Sequence, residues 1–344
     1  MNQKIHHEIL ERGPIPFARF MELALNAYYE CQKEIGRSGD FYTSVSVGPV
    51  FAELLAFQFA EWSQALGRVH IVEAAAHQGQ FAADVLKWFQ QWRPELFTSL
   101  QYIIVEPSAI RRQWQQETLR EFTSKITWSE NMPKDLTGII FSNELLDAMP
   151  VHRLGWNAAE KRWQEWHVAY AGEEFRWQKI DPAKNLALPQ VHPDLQTVLP
   201  ENFIIEISPA AVEWWYQAAQ SLRAGKLVTL DYGLTAEEQF QPEKGRGTLR
   251  AYRDHRLSDD LLANPGEQDL TAHVNFTAIQ AAGESAGLQT TSYAPQARFL
   301  TKIFEKTLAL PGQFPDWTPN RIKQFQTLTH PSHLGRFQTL VQSK

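Results

Sequence analysis

The sequence has little cysteine, no long apolar run and no excess of positive charge. Its single cysteine, Cys31, excludes an intrachain disulfide framework and any cysteine-rich zinc site. No run reaches the ~18 apolar residues of a membrane-spanning helix. With 33 Lys and Arg against 39 Asp and Glu, the formal net charge is −6. This balance argues against nucleic acid as a partner, because phosphate binding usually needs a basic face.

Residues 1–12 lack the apolar segment of a secretory signal, and their glutamates are untypical of a transit peptide. We therefore expect a cytoplasmic protein without a membrane span. His330 and His333 are close in sequence but have no third ligand nearby, so we expect no metal site. The 344 residues suffice for about two domains of roughly 150 residues, or for one elaborated α/β domain. The oligomeric state is open.

Short apolar strands alternate with amphipathic helices in the first half of the chain. The pattern predicts a parallel sheet with right-handed crossovers. Predicted strands lie at 69–72, 102–105, 126–128 and 138–141. Predicted helices lie at 15–32, 50–62, 80–91 and 110–122, the first two separated by a loop at 36–49 that is rich in Gly, Ser and Thr.

The second half begins with a different pattern. From His152 to about Ile180 apolar and polar residues alternate and tryptophan is frequent, which predicts antiparallel hairpin strands. Ser208 and Pro209 then favour the start of a helix that Gly225 would end. The last predicted elements are a strand at 226–230 ending at Asp231, a helix at 271–283 and closing strands at 288–299.

Acidic residues follow three of the predicted parallel strands. They are Glu73, Glu106 and Glu144, the last preceded by Asn143. In open α/β sheets, ligands bind at the carboxyl ends of the strands, and an acid after the second strand can accept both hydroxyls of a ribose. Three such acids therefore indicate a ligand that contains a nucleoside.

The loop after the first strand, residues 74–79, contains one glycine, Gly79. This composition makes a poor phosphate cradle and disfavours a dinucleotide, and with it a nicotinamide-dependent dehydrogenase. The helix that follows could bind a small carboxylate, such as that of methionine, through its free amides. The loop by itself is equally typical of an ordinary strand-to-helix turn.

Several long strings of the sequence resemble the MidA family of class I S-adenosylmethionine-dependent methyltransferases. That family is related to the mitochondrial complex I assembly factor that methylates an arginine of a complex I subunit. The resemblance spans almost the whole chain. It is carried by residues 36–44, 142–153, 230–233, 247–252, 268–276 and 328–331.

The resemblance implies a class I, Rossmann-like methyltransferase sheet with an N-terminal helical region and an antiparallel insertion. The expected divisions are an N-terminal lid at 1–68, a core at 69–151 and 208–305, an insertion for substrate at 152–207, and a C-terminal segment at 306–344. The implied cofactor is S-adenosylmethionine. Its implied binding residues are Gly39, Asp40, Thr43, Ser44, Glu73, Gly79 and Glu106.

The resemblance also implies that Asn143 and Glu144 face the methyl group, with an arginine of a partner protein as acceptor, in a respiratory dehydrogenase subunit. A guanidinium needs its charge balanced by carboxylates. Glu144 and Asp147, three apart at the start of an expected helix, could share one face. Ala75 and His77 stand where the family has glycines. The alternative is therefore a weakly active or inactive scaffold that aids respiratory-complex assembly.

Overall fold

The structure is a computed structural model, and it describes residues 1–31, 43–64, 66–67, 70–253 and 256–344. The chain divides into two compact units, each made of several chain segments. The first unit comprises Met1–Gln32, Leu146–Val212 and Gly233–Ala278. The second unit comprises Lys33–Leu145, Glu213–Tyr232 and Ile279–Lys344. The division into lid, core, insertion and C-terminal segment stays a prediction.

In the described part of the chain, the α-helices are α1 Asn2–Arg12, α2 Phe17–Cys31, α3 Val50–Ser63, α4 Gln80–Trp92, α5 Pro94–Ser99, α6 Ala109–Thr118, α7 Pro193–Gln196, α8 Pro209–Ser221, α9 Phe276–Ser285, α10 Gln296–Ala309 and α11 Pro319–Thr329. None of these helices is both long and apolar enough to cross a membrane.

The strands of the same residues are β1 Ile15–Pro16, β2 His70–Ala74, β3 Gln101–Val105, β4 Ile126–Ser129, β5 Leu136–Asn143, β6 His152–Asn157, β7 Arg162–Ala171, β8 Glu174–Ile180, β9 Ile204–Ile207, β10 Leu222–Asp231, β11 Gly233–Leu234, β12 Arg250–Arg253, β13 Arg256–Ser258, β14 Asp269–Thr271, β15 Val274–Asn275, β16 Gln289–Pro295 and β17 Gln338–Ser343.

A seven-stranded mixed sheet forms the centre of the second unit, in the order β16-β17-β10-β5-β2-β3-β4. The five strands from β10 to β4 are parallel, and β17 runs antiparallel to both of its neighbours. The parallel strands are apolar because they are covered on both faces. Helix α4 packs on the sheet through its apolar stripe, whose buried residues include Phe81, Val85, Leu86 and Phe89.

The main sheet of the first unit is antiparallel. This sheet has the order β1-β7-β6-β9, and β8 also pairs with β7, along Glu165 to Ala171. The hairpins β6-β7 and β7-β8 confirm the antiparallel pattern predicted from His152 to Ile180. Two small sheets, β13-β12-β14 and β11-β15, complete the unit.

Tertiary contacts change several predicted boundaries. The first predicted helix begins at Phe17 because Ile15, which precedes a proline, is extended and pairs with Val168. The closing strand ends at Pro295, and a helix begins at Gln296. Gly225 does not end a helix but lies inside β10, where a Cβ would come within 1.8 Å of the Gly138 carbonyl oxygen.

The prediction of a helix that begins at Glu144 is wrong. Glu144 adopts a left-handed backbone conformation with φ of 51°, and no helix forms between β5 and β6 in the described chain. The segment instead makes a turn in which the Met149 N–H donates to the Leu146 carbonyl oxygen at 3.2 Å. Pro150 disfavours a helical conformation at the residue before it, which explains why a helix does not propagate.

Candidate functional site

Three neighbouring parallel strands, β3, β2 and β5, bring the strand-end acids of the second unit to one edge of the sheet. Glu73 lies within β2, where it is paired with Ile104 on one side and Phe141 on the other. Glu106 and Glu144 follow the last residues of β3 and β5. Because carboxyl ends of parallel strands share an edge, this is the ligand-binding edge of an open α/β sheet.

The loop between β2 and α4 has a strained backbone. Ala75, His77 and Gly79 all have positive φ, of 62°, 43° and 83°. For the first two this left-handed conformation costs roughly 1 kcal/mol or more, since each carries a Cβ. Gly79 stands directly before α4, whose first amide groups therefore point at the loop. At Ala75 and His77 the backbone thus keeps a conformation typical of glycine.

Glu73 is buried in surroundings that favour its neutral, protonated form. Burial raises its pKa to about 8, against the opposing effect of a hydrogen bond from the Tyr102 hydroxyl to Oε2 at 2.6 Å. At neutral pH the protonated form of this acid is therefore stabilised. A bound cation close to Glu73 would favour the ionised form.

Glu106 is almost fully buried and accepts several hydrogen bonds. Its Oε1 accepts from the Ser108 backbone N–H at 2.9 Å and forms an ion pair with Arg111, whose Nη2 lies 2.9 Å away. Its Oε2 accepts from Gln115 Nε2 at 3.3 Å. A carboxylate oxygen has two lone pairs, so Oε2 can accept a further hydrogen bond from a ligand hydroxyl.

Two hydrogen bonds to β10 hold the segment 143–145. The Glu144 N–H donates to the Leu230 carbonyl oxygen at 3.0 Å, and the Leu145 N–H donates to Oδ2 of buried Asp231 at 3.2 Å. These bonds fix the left-handed conformation of Glu144. Its Oε1 accepts from Asn143 Nδ2 at 2.8 Å. Asn143 Oδ1 is buried and has no hydrogen-bond partner among the described residues.

Of the four residues expected to close over the cofactor, Gly39 and Asp40 lie outside the described residues. Thr43 and Ser44 are described, and both precede a short 3₁₀ turn at Val45–Val47. The Ser44 N–H donates to Glu144 Oε1 at 3.3 Å, and its hydroxyl donates to Gln296 Oε1 at 3.3 Å. The structure therefore brings Ser44 to the carboxyl end of β5.

Asp147 belongs to the first unit. It is buried, and its carbonyl oxygen accepts from the Ala272 N–H at 2.9 Å. The Tyr29 hydroxyl in the same unit donates to Asp269 Oδ1 at 2.9 Å. Burial raises the pKa of Tyr29 well above its usual value, and the negative charges of Asp269 and Asp147 add to the effect. The two acids and the tyrosine therefore form one polar cluster.

These side chains fit S-adenosylmethionine. The unpartnered Asn143 Oδ1 can accept a hydrogen bond, and buried Glu73 can stabilise a cationic group when ionised. The first amides of α4 suit a carboxylate, and Glu106 Oε2 suits a ribose hydroxyl. In the described residues, no group of three or more His, Cys, Asp and Glu could bind a metal ion.

The mixed sheet and the carboxylates at its parallel strand ends define an α/β protein that binds a nucleoside-containing ligand. Residues 54–294, more than half of the chain, match the model of the family described as "Putative S-adenosyl-L-methionine-dependent methyltransferase". The chain belongs to this family, which confirms the resemblance to MidA proteins. S-adenosylmethionine is accordingly its cofactor.

Solved structures agree with the family. One from Burkholderia thailandensis, described as a "COG1565 superfamily member and likely methyl transferase" and bound to S-adenosyl-homocysteine, has a TM-score of 0.85 and 29% identity. The comparison covers 100% of this chain and 91% of that one. A native structure of a COG1565 superfamily protein from the same organism has a TM-score of 0.82 and 28% identity, with the same coverage.

Curated relatives are more distant. The "Protein arginine methyltransferase NDUFAF7 homolog, mitochondrial" of Drosophila melanogaster is 26% identical over 98% of this chain and 84% of its own length. The human "Protein arginine methyltransferase NDUFAF7, mitochondrial" is 27% identical over 84% of this chain and 70% of its own length.

Sequence reasoning missed three residues of the polar networks. Gln115 joins the first loop to Glu106, Asp231 holds the backbone after Glu144, and Asp269 pairs with Tyr29. Asp231 and Asp269 lie in strings that carried the family resemblance, and Asp231 also ends a predicted strand. The positions of Asp231 and Asp269 in the sequence could therefore have indicated a role for them. Gln115 lies in an ordinary polar helix, where no sequence pattern indicates one.

Proposed function

We propose that the protein transfers the methyl group of S-adenosylmethionine to an arginine side chain of a partner protein, using the second unit as a class I methyltransferase core. The order of the parallel strands, with antiparallel β17 between β10 and β16, supports the class I assignment. The names of the curated relatives support arginine as the acceptor.

The observation that carries the proposal is the rigid placement of Glu144. Its backbone is fixed by Leu230 and, through Leu145, by Asp231, and its Oε1 is oriented by Asn143 and Ser44. A left-handed conformation at a non-glycine residue costs about 1–3 kcal/mol and is retained mostly at functional sites. This geometry suits a carboxylate that must meet a planar guanidinium in one orientation.

When bound, the cofactor supplies an electrophilic methyl group on its sulfonium. Glu144 then balances the charge of the acceptor guanidinium and orients one of its nitrogens. Asn143 Oδ1 accepts an N–H hydrogen bond at the same strand end. Glu106 would bind a ribose hydroxyl of the cofactor, and the first amides of α4 would bind its carboxylate. Glu73 is positioned to stabilise positive charge. A catalytic role for Asp147, which lies with Asp269 and Tyr29 in the first unit, stays a prediction.

The proposal extends to the partner protein and to the place where the enzyme acts. We propose a respiratory dehydrogenase subunit as the methylated protein, as the family resemblance suggests, and a cytoplasmic site of action. No basic face is needed for such a partner, since the acceptor itself carries the positive charge. The formal net charge of −6 suits recruitment of a cationic segment.

The test combines methyl transfer with cofactor affinity. Tritiated S-adenosylmethionine is added with wild-type enzyme to a lysate from cells that lack the protein, and labelled proteins are hydrolysed to identify the methylated amino acid. We expect labelled methylarginine in protein. Glu144→Gln keeps the shape and removes the charge, so turnover should fall on the order of a hundredfold with nearly unchanged affinity for S-adenosylhomocysteine.

Glu106→Ala is the contrasting variant. It should weaken S-adenosylhomocysteine at least tenfold, and saturating cofactor should restore most of the turnover, since the loss is in binding. Label found only in small molecules, or in another amino acid, would refute arginine as the acceptor. Cofactor binding without any transfer would favour the scaffold instead. Full turnover by Glu144→Gln would show that this carboxylate has no catalytic role.

A further inference from the structure

Gln115 is a fully buried polar residue on α6, with a relative exposure of 0%. Its Nε2 donates to the His77 carbonyl oxygen at 3.0 Å and to Glu106 Oε2 at 3.3 Å. Its Oε1 accepts from Trp128 Nε1 on β4 at 2.9 Å. All of these residues belong to the second unit. One side-chain amide therefore connects the loop after β2, the acid after β3 and strand β4.

The orientation of this amide is determined by its partners. An indole N–H can only donate, so Trp128 requires the amide oxygen on its side. The NH₂ group then faces His77 and Glu106, both of which offer only acceptors. A flipped amide, or a glutamate carboxylate at this position, would place an oxygen against two oxygens.

The His77 carbonyl is the point at which the loop needs support. His77 has a φ of 43° in a loop where Ala75 also has positive φ, so the backbone is held in a conformation that neither residue favours. The hydrogen bond from the uncharged, buried Gln115 amide to the His77 carbonyl oxygen stabilises that conformation. The same NH₂ group holds Glu106 Oε2, the oxygen available to a ribose hydroxyl.

We infer that Gln115 is a positioning residue for S-adenosylmethionine: it sets the first loop and the ribose-binding acid in one fixed relative geometry. It contacts no cofactor in this role and acts through His77 and Glu106. The inference concerns cofactor binding alone and does not depend on which group accepts the methyl.

Gln342 on β17 offers a matched control in the same unit. It is also fully buried, its Oε1 accepts from Trp215 Nε1 at 2.7 Å, and its Nε2 donates to the Gln280 carbonyl oxygen and Thr290 Oγ1, both at 2.9 Å. It thus makes the same number of side-chain hydrogen bonds as Gln115, one of them also from a tryptophan indole, but these bonds reach neither the loop nor a strand-end acid.

The experiment measures S-adenosylhomocysteine affinity by calorimetry and the urea midpoint without ligand for Gln115→Met and Gln342→Met. Both replacements keep the side-chain length and remove the hydrogen bonds, so both should lower the urea midpoint. Only Gln115→Met should weaken the affinity for S-adenosylhomocysteine, by about tenfold or more. The reason is that the loop and Glu106 each lose roughly one oriented hydrogen bond. Gln342→Met should stay within twofold of wild type.

Trp128→Phe is the second variant, chosen because it leaves Gln115 in place and removes only the donor that orients it. We expect a threefold to tenfold weaker affinity, and Gln115→Glu should weaken binding more than Gln115→Met does. Equal affinities of Gln115→Met, Trp128→Phe and wild type would overturn the inference, as would equal losses in Gln115→Met and Gln342→Met. Because no methyl acceptor is present, failure of the arginine proposal would leave these results unchanged.

Discussion

At the scale of single residues, two acids at the same sheet edge differ in their surroundings. Glu106 forms an ion pair with Arg111 and accepts hydrogen bonds from the Ser108 backbone N–H and from Gln115. Glu73 is equally buried, but its described hydrogen bond comes from the neutral Tyr102 hydroxyl. Burial therefore dominates at Glu73 and raises its pKa to about 8.

The raised pKa of Glu73 predicts a pH dependence of stability. In the unfolded chain the acid ionises near its ordinary pKa of 4.5, whereas in the folded protein it holds its proton to about pH 8. The stabilising contribution is complete below pH 4.5 and is lost as the pH rises towards 8. Relative to Glu73→Gln, the unliganded wild type should lose roughly 2–4 kcal/mol of unfolding free energy over this range.

Urea denaturation of the two proteins between pH 5 and 8.5 measures this difference. Glu121→Gln is the control, since Glu121 is an exposed acid of the same unit and its substitution should leave the wild-type profile unchanged. Parallel pH profiles for wild type and Glu73→Gln would contradict the assignment. Repeating the series with S-adenosylhomocysteine tests whether the bound ligand favours the ionised acid.

At the scale of elements, the loop between β2 and α4 combines a glycine-like backbone with residues that carry a Cβ. Its geometry is imposed from outside, by Gln115 at the His77 carbonyl and by the packing of Gly79, where a Cβ would approach Leu119 Cδ1 to 2.8 Å. Strain of this kind is retained where function fixes the backbone.

The strain predicts that Ala75→Gly stabilises the protein. Glycine adopts positive φ without penalty, so removing the Cβ should raise the unfolding free energy by up to about 1 kcal/mol. Ala76→Gly, one residue along and outside the set with positive φ, should lower it by about 0.5–1 kcal/mol. Urea midpoints of the two variants decide the matter: a loss of stability in Ala75→Gly, matching that of Ala76→Gly, would argue against strain at this position.

At the scale of the whole molecule, each compact unit has its own apolar core. One cluster in the second unit surrounds α3, α4 and the parallel strands, with Phe57, Phe89 and Phe141 among its buried rings. Another in the first unit packs α1 and α2 with parts of the antiparallel sheet, and includes Phe17, Phe20 and Val168. The described strand-end acids Glu73, Glu106 and Glu144 all belong to the second unit.

Cofactor binding should therefore stabilise the protein by mass action. S-adenosylhomocysteine at about 100 times its Kd should add about 2.7 kcal/mol to the unfolding free energy of the binding unit, and each further tenfold about 1.4 kcal/mol. Differential scanning calorimetry over a ligand series measures the corresponding rise in transition temperature. NAD⁺ at the same concentrations is the control and should cause no rise. A rise with NAD⁺ but not with S-adenosylhomocysteine would restore the dehydrogenase alternative.

Much of this protein could be predicted from local sequence patterns. The parallel strands around Ile103 and Ile140 are continuous apolar runs because both of their faces are covered. The acidic residue after each run marked the end of the strand in the sequence. The hairpins after His152 were visible because one polar face gives a period of two. The acids Glu106 and Glu144 follow from the same patterns, since the end of a strand is a local property.

What only the tertiary structure decided depends on residues far apart in the chain. Gln115 lies 38 residues from His77, and Leu145 lies 86 residues from Asp231. The C-terminal β17 enters the sheet beside β10, and Glu144 takes a left-handed conformation where its spacing from Asp147 suggested a helix. The physical reason is that periodicity reports which face of an element is buried, whereas hydrogen bonds across the fold decide which strained or polar arrangements are retained.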